Sequence, residues 1–150
     1  MPQIMKKVYL LTLLISFSSF AQKTFDNIKS EKLGEERRIT IGLPASYEAN
    51  KDKKYPVLYL LDGDYLFDPF SGAVSYGTYW DDIPEMIIIG IHQNKDGERF
   101  DDTTIDQNEG LPFEKGSKFF EFIGSELVPY IEKKYRTSPF RLIAGHDITA

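Results

Sequence analysis

The stretch Pro56-Val57-Leu58-Tyr59-Leu60-Leu61-Asp62-Gly63-Asp64 decides the fold. Its apolar part runs without alternation, as a strand needs when both of its faces are covered. Met86-Ile87-Ile88-Ile89-Gly90-Ile91 is a second such run, and Phe140-Arg141-Leu142-Ile143-Ala144 a third, shorter one. The intervals have room for crossovers. Residues 65 to 81 are rich in aromatics and read as a helix. Ser117 to Tyr135 is the clearest helix, with Phe119, Ile123, Leu127, Ile131 and Tyr135 spaced by four along one stripe. Pro129 should kink that helix or restart it. Upstream, Phe25 to Ser30 and Arg37 to Leu43 read as two strands around a turn at Gly34, closed by Pro44. An antiparallel hairpin followed by strand–helix–strand–helix–strand predicts an α/β fold with a mostly parallel sheet.

Composition bounds the function. With 41% apolar and 27% charged residues among 150, the chain is of ordinary globular make-up. The formal charge is −5, and it becomes −7 once Lys6 and Lys7 are set aside with residues 1–21. An acidic body argues against nucleic acid or an anionic membrane surface as the main partner. Lys6 and Lys7, the apolar run Val8 to Phe17 and the small residues Ser19 and Ala21 have the layout of a secretory signal peptide. About ten strongly apolar residues fall short of the roughly 20 that span a membrane. Residues 1–21 are therefore expected to be removed, leaving an exported body, 22–150, with Gln22 first and no anchor. The chain has no cysteine, so thiol nucleophiles, disulfides and thiolate metal sites are excluded.

In open parallel sheets ligands bind beyond the carboxyl ends of the strands. Three segments end there: Leu61-Asp62-Gly63-Asp64, Ile91-His92-Gln93-Asn94 and Gly145-His146-Asp147-Ile148-Thr149-Ala150. The last is the most informative. A strand followed by Gly-His-Asp-Ile-Thr-Ala has the outline of a nucleophile elbow, G-x-S-x-G, with Asp147 at the central position and Thr149 where the second glycine is usual.

From Arg38-Ile39-Thr40-Ile41-Gly42-Leu43-Pro44, through Tyr55-Pro56-Val57-Leu58-Tyr59-Leu60-Leu61-Asp62-Gly63, Ile87-Ile88-Ile89-Gly90-Ile91, Arg99-Phe100-Asp101-Asp102-Thr103 and Glu126-Leu127-Val128-Pro129-Tyr130-Ile131, to Gly145-His146, the chain resembles one known group. It is similar, over about residues 30 to 150, to the Putative esterase family of α/β-hydrolases, which includes enterochelin esterase-like enzymes, esterase D and the mycolyltransferases. The resemblance implies an α/β-hydrolase fold, represented by its N-terminal part and ending just after the elbow. It implies a small-molecule ester as substrate and no cofactor. Carried over by position, Asp147 is the elbow residue, and the backbone N–H groups of Asp64 and Ile148 form an oxyanion hole. The oligomeric state is not legible.

Two features depart from the family pattern. The family's elbow holds a serine. A carboxylate attacking an ester would form an anhydride while expelling an alkoxide, a poorer leaving group than the carboxylate, so the intermediate would collapse backwards. The residues leave three roles open for Asp147: nucleophile at a saturated carbon, as in dehalogenase- and epoxide hydrolase-like enzymes, general base for water, or an inert turn residue in a binding protein on the same scaffold. Second, the triad acid and histidine follow the nucleophile in this fold, and the sequence ends three residues after Asp147. His92 precedes the elbow and reads as a polar residue at a strand end, while His146 reads as packing behind the elbow. Arg99, Asp101 and Asp102 read as a solvated charge cluster. Phe67, Phe70, Tyr76, Tyr79 and Trp80 read as a helix core face. Asp62, Asp64 and Asp68 lack a glycine-bounded calcium-loop pattern, so no metal is expected there.

Overall fold

The computed structural model describes residues 23–149, and the expected signal peptide lies outside them. The elements are strands β1 (Lys23–Ser30), β2 (Glu35–Gly42) and β3 (Tyr55–Leu60), helix α1 (Gly63–Tyr79), strand β4 (Ile87–Ile91), helices α2 (Glu98–Asp102), α3 (Lys115–Phe122) and α4 (Val128–Lys134), and strand β5 (Thr137–Ala144). They form one five-stranded sheet in the order β1-β2-β4-β3-β5. The expected hairpin is present, Lys23 lying opposite Gly42 and Ser30 opposite Glu35. β2 meets β4 antiparallel, with Ile39 opposite Ile91. β4, β3 and β5 run parallel, so the sheet is mixed rather than wholly parallel.

The two long apolar runs are covered on both faces, as their lack of alternation requires. On one face Ile39, Ile41, Val57, Tyr59, Ile87, Ile89 and Ile91 pack with Phe119, Phe122, Leu127 and Ile131. On the other, Leu58, Leu60 and Ile88 pack with Phe67 and Met86. β5 departs from expectation: Phe140 and Ile143 are largely exposed. It is an edge strand, paired only with β3, and its middle is exposed among the described residues.

The predicted helix over 117–135 is present but broken by a wide turn at Ile123–Leu127, between α3 and α4. Pro129 explains it. The proline has no N–H to give and its ring crowds the carbonyl four residues back. The turn before it opens, and the Val128 N–H reaches back five residues to the Ile123 carbonyl. The expected aromatic face of α1 is only partly a core. Phe67 is buried, whereas Tyr76, Tyr79 and Trp80 are exposed near the helix end remote from the elbow. No helix among the described residues is long and apolar enough to cross a membrane.

One carboxylate of the helical layer closes over the turn of the hairpin. Glu126 accepts Ser30 Oγ–H at 2.5 Å and the turn amides of Glu31 and Lys32 at 3.0 and 3.1 Å. Glu126→Ala should cost about 1–3 kcal/mol, because three donors lose a charged acceptor at once. Urea unfolding of both proteins would measure this, and an unchanged midpoint would show that water replaces the carboxylate without loss.

Candidate active site

The ends of β3, β4 and β5 meet around one buried carboxylate. Asp62 follows β3 with φ of 59°, a left-handed conformation that turns the chain sharply into α1. Its side chain is fully buried. Oδ1 accepts from Gln93 Nε2 and from Arg99 Nε, each at 2.8 Å, and Oδ2 accepts the Thr149 hydroxyl at 2.6 Å. Burial alone would push this carboxyl up, but the hydrogen bonds from Arg99, Thr149 and Gln93, with the Arg99 charge, hold it below the ordinary aspartate value.

The turn after β5, read in the sequence as an elbow, is fixed by the same partners. Asp147 has φ of 58°, the strained left-handed region that an elbow residue needs. Its side chain is 67% exposed, with Oδ2 at 4.0 Å from Arg99 Nη1. Arg99 Nη2 donates to the His146 carbonyl at 2.5 Å. Thr149, standing where a second glycine is usual, accepts the His146 N–H through Oγ1 at 2.8 Å. Gly145 permits this closure, because a Cβ there would lie 2.4 Å from the Thr149 carbonyl oxygen. His146 is exposed, not packed behind the elbow, and its ring stands edge-on to Tyr65 at 6.5 Å.

Asp64 begins α1 beside this assembly. Its carboxylate is directed to the β4 side, where Oδ2 accepts the Gln93 N–H at 2.8 Å and Oδ1 lies 2.7 Å from His92 Nδ1. Since β3 separates β4 from β5, that negative charge is turned away from the elbow. Among the described residues the backbone N–H groups of Asp64 and Ile148 have no protein acceptor. Gly63 is sterically obligatory: a Cβ would lie 2.5 Å from the Gly90 carbonyl carbon and 2.6 Å from the Ile91 nitrogen. The loop after β3 thus rests directly on the backbone of β4.

The cluster read as solvated charges divides in three. Arg99 belongs to the site. Asp101 pairs with Lys115 at the surface. Asp102 lies behind the site against the fully buried Arg37, which also meets Glu35 and Glu98. Burial, reinforced by nearby Glu35, pushes the Glu98 carboxyl up. Asp68 pairs with Lys23 away from Asp62 and Asp64, and among the described residues no group of three or more ligand side chains could hold a metal.

The family model described as Putative esterase matches residues 30–148. No curated protein matches the sequence. Among solved structures, an IroE-like serine hydrolase from Shewanella oneidensis superposes with a TM-score of 0.73 at 28% identity, over 85% of this chain and 43% of its own. A ferulic acid esterase gives 0.66 at 29% identity, over 87% and 52%. Ferric enterobactin esterase from Salmonella typhimurium gives 0.65 at 22% identity, over 87% and 31%, a likeness of fold alone. The chain spans from a third to about half of the length of these structures.

Asp62→Asn should destabilise the protein by roughly 3 kcal/mol at pH 7, because Arg99 is left without its buried counter-charge. The Asp62 carboxyl is depressed in the folded state, so its contribution is complete above the ordinary value of 3.8 and fades as pH falls through the lowered value. Urea midpoints taken from pH 7 to pH 2.5 should show the two proteins converging only at the acid end. A gap that stayed constant with pH would mean the carboxylate charge is not what holds these segments.

Proposed function

Because the chain belongs to the Putative esterase family, we propose that it carries the elbow-bearing part of an exported hydrolase acting on a carboxylic ester of a small molecule. The observation that carries this reading is the left-handed backbone of Asp147 shortly after β5, together with N–H groups at Asp64 and Ile148 that meet no backbone acceptor among the described residues. The likeness to a serine hydrolase and to a ferulic acid esterase at 28% and 29% identity supports the reaction class.

Asp147 is the general base in this proposal. Its carboxylate is open to solvent and so to water. Direct attack by it on an ester would form an anhydride that reverts. A water molecule instead attacks the carbonyl carbon and gives its proton to Asp147 as the C–O bond forms. The carbonyl oxygen takes up the negative charge, and the N–H groups of Asp64 and Ile148 stabilise it. Collapse of the adduct expels the alkoxide, which recovers the proton from Asp147, leaving an acid and an alcohol. Arg99 Nη1 lies 4.0 Å from the carboxylate, a cation on the side of the Asp62 centre. His92 cannot serve this base, because Thr40 and Asp64 hold it on the β4 side of β3. A histidine and second acid beyond residue 150 would complete the family's arrangement.

A binding protein on the hydrolase scaffold is the second reading, favoured by the same Arg99–Asp147 approach taken as a purely structural ion pair. The two readings separate on the full-length protein purified from the exported fraction, where Gln22 should be the first residue. With p-nitrophenyl acetate and butyrate the native protein should turn over, and Asp147→Ala should lower kcat/KM by about 10²- to 10⁴-fold. A silent native protein, or an alanine variant as active as the native one, would refute the assignment. Activity appearing only in Asp147→Ser would show a usable oxyanion hole on a scaffold without native ester hydrolysis.

A further inference from the structure

We infer that His92, acting through Asp64, is the positioning residue for the oxyanion-side peptide; the catalytic consequence rests on the function proposed above. His92 is buried at the end of β4 and is held at both ring nitrogens. Nδ1 lies 2.7 Å from Asp64 Oδ1, and Nε2 lies 2.5 Å from Thr40 Oγ1. In the neutral ring one tautomer satisfies both contacts: Nδ1–H donates to the carboxylate and Nε2 accepts the threonine hydroxyl. A hydroxyl, an imidazole and a carboxylate in line are the residue types of a hydrolytic triad. Thr40, however, is 1% exposed in the middle of the sheet and cannot meet a substrate. The line must act on something at its solvent end, which is Asp64.

What it acts on follows from Gly63. That position must be glycine because of its approach to Gly90 and Ile91, and it opens the first turn of α1, where the Asp62 carbonyl takes the N–H groups of Tyr65 and Leu66. In the reaction proposed above the Gly63–Asp64 peptide carries one oxyanion donor, so a loosely held first turn of α1 would misdirect it. The Asp64 carboxylate anchors that turn by bridging to the ring of His92 and to the N–H of Gln93, both directly beyond β4. Sterics fix where the loop sits, and the His92–Asp64 pair ties the first turn of α1 to the end of β4.

The test uses the full-length protein with His92→Phe, which removes the donor, and His92→Asn, whose side-chain amide nitrogen stands where Nδ1 stood. Amide hydrogen exchange and p-nitrophenyl butyrate kinetics are read in parallel. In His92→Phe the amides of Tyr65, Leu66 and Gln93 should exchange about tenfold faster, while those of Ile88 to Gly90 keep their protection. The kcat should fall about tenfold with KM unchanged, and His92→Asn should restore most of both. Unaltered exchange in His92→Phe, an equal rise across β4, or no rescue by asparagine would overturn the inference. If the native protein hydrolyses no ester but the exchange pattern follows expectation, the positioning role stands and the proposed function alone fails.

Discussion

The carboxylate of Asp62 is the constraint on which the site depends. It sits without solvent contact at the junction of three chain segments and takes hydrogen bonds from each: Gln93 after β4, Arg99 from α2 and Thr149 from the turn after β5. An ionised carboxylate can be buried only when its oxygens are matched by donors and its charge by a cation. Arg99 supplies the cation and also holds the His146 carbonyl. The cost of burying the charge is offset only when all three segments are in place, so the residues that would bind substrate are ordered together.

Close backbone contacts complete the frame. Gly63 lies against Gly90 and Ile91, and Gly145 lies against Thr149; in each case a methyl group would collide with backbone atoms. These contacts bring two strand-end turns close to their neighbours, and side chains add the ties that hold them there. Thr149 performs that task at the elbow and Asp64 at the loop after β3. Thr149 in place of a glycine is therefore a gain for this chain, because a glycine there could not bridge His146 to Asp62.

Much of the architecture was legible in the sequence because burial leaves a periodicity. The unbroken runs of β3 and β4, the hairpin at Gly34 and the four-spaced stripe of the long helix correspond to observed elements. β5 read as buried but lies at the edge, since hydropathy records apolarity and not which neighbour covers it. A sharp turn at Asp147 was legible from the glycine before it and its place after a strand. The clamp was not: Asp62, Gln93, Arg99 and Thr149 are spread over 88 residues, and no local pattern announces a shared hydrogen-bond centre. A signal was present in Asp62-Gly63, an acid directly after a buried strand and before an obligatory glycine. The pairing of His92 with Asp64 was hidden for the same reason, because chain order spoke only to whether His92 could be the triad base.

The chemistry of Asp147 is the central claim, and the destination of solvent oxygen tests it most directly. Full-length protein would turn over p-nitrophenyl butyrate in H₂¹⁸O, and mass spectrometry would follow both the butyrate and the peptide bearing Asp147. With Asp147 as the base for water, the label enters the butyrate and the Asp147 peptide keeps its natural mass. Label accumulating in the Asp147 carboxylate would mean that it attacks as a nucleophile and is itself hydrolysed, contradicting the account.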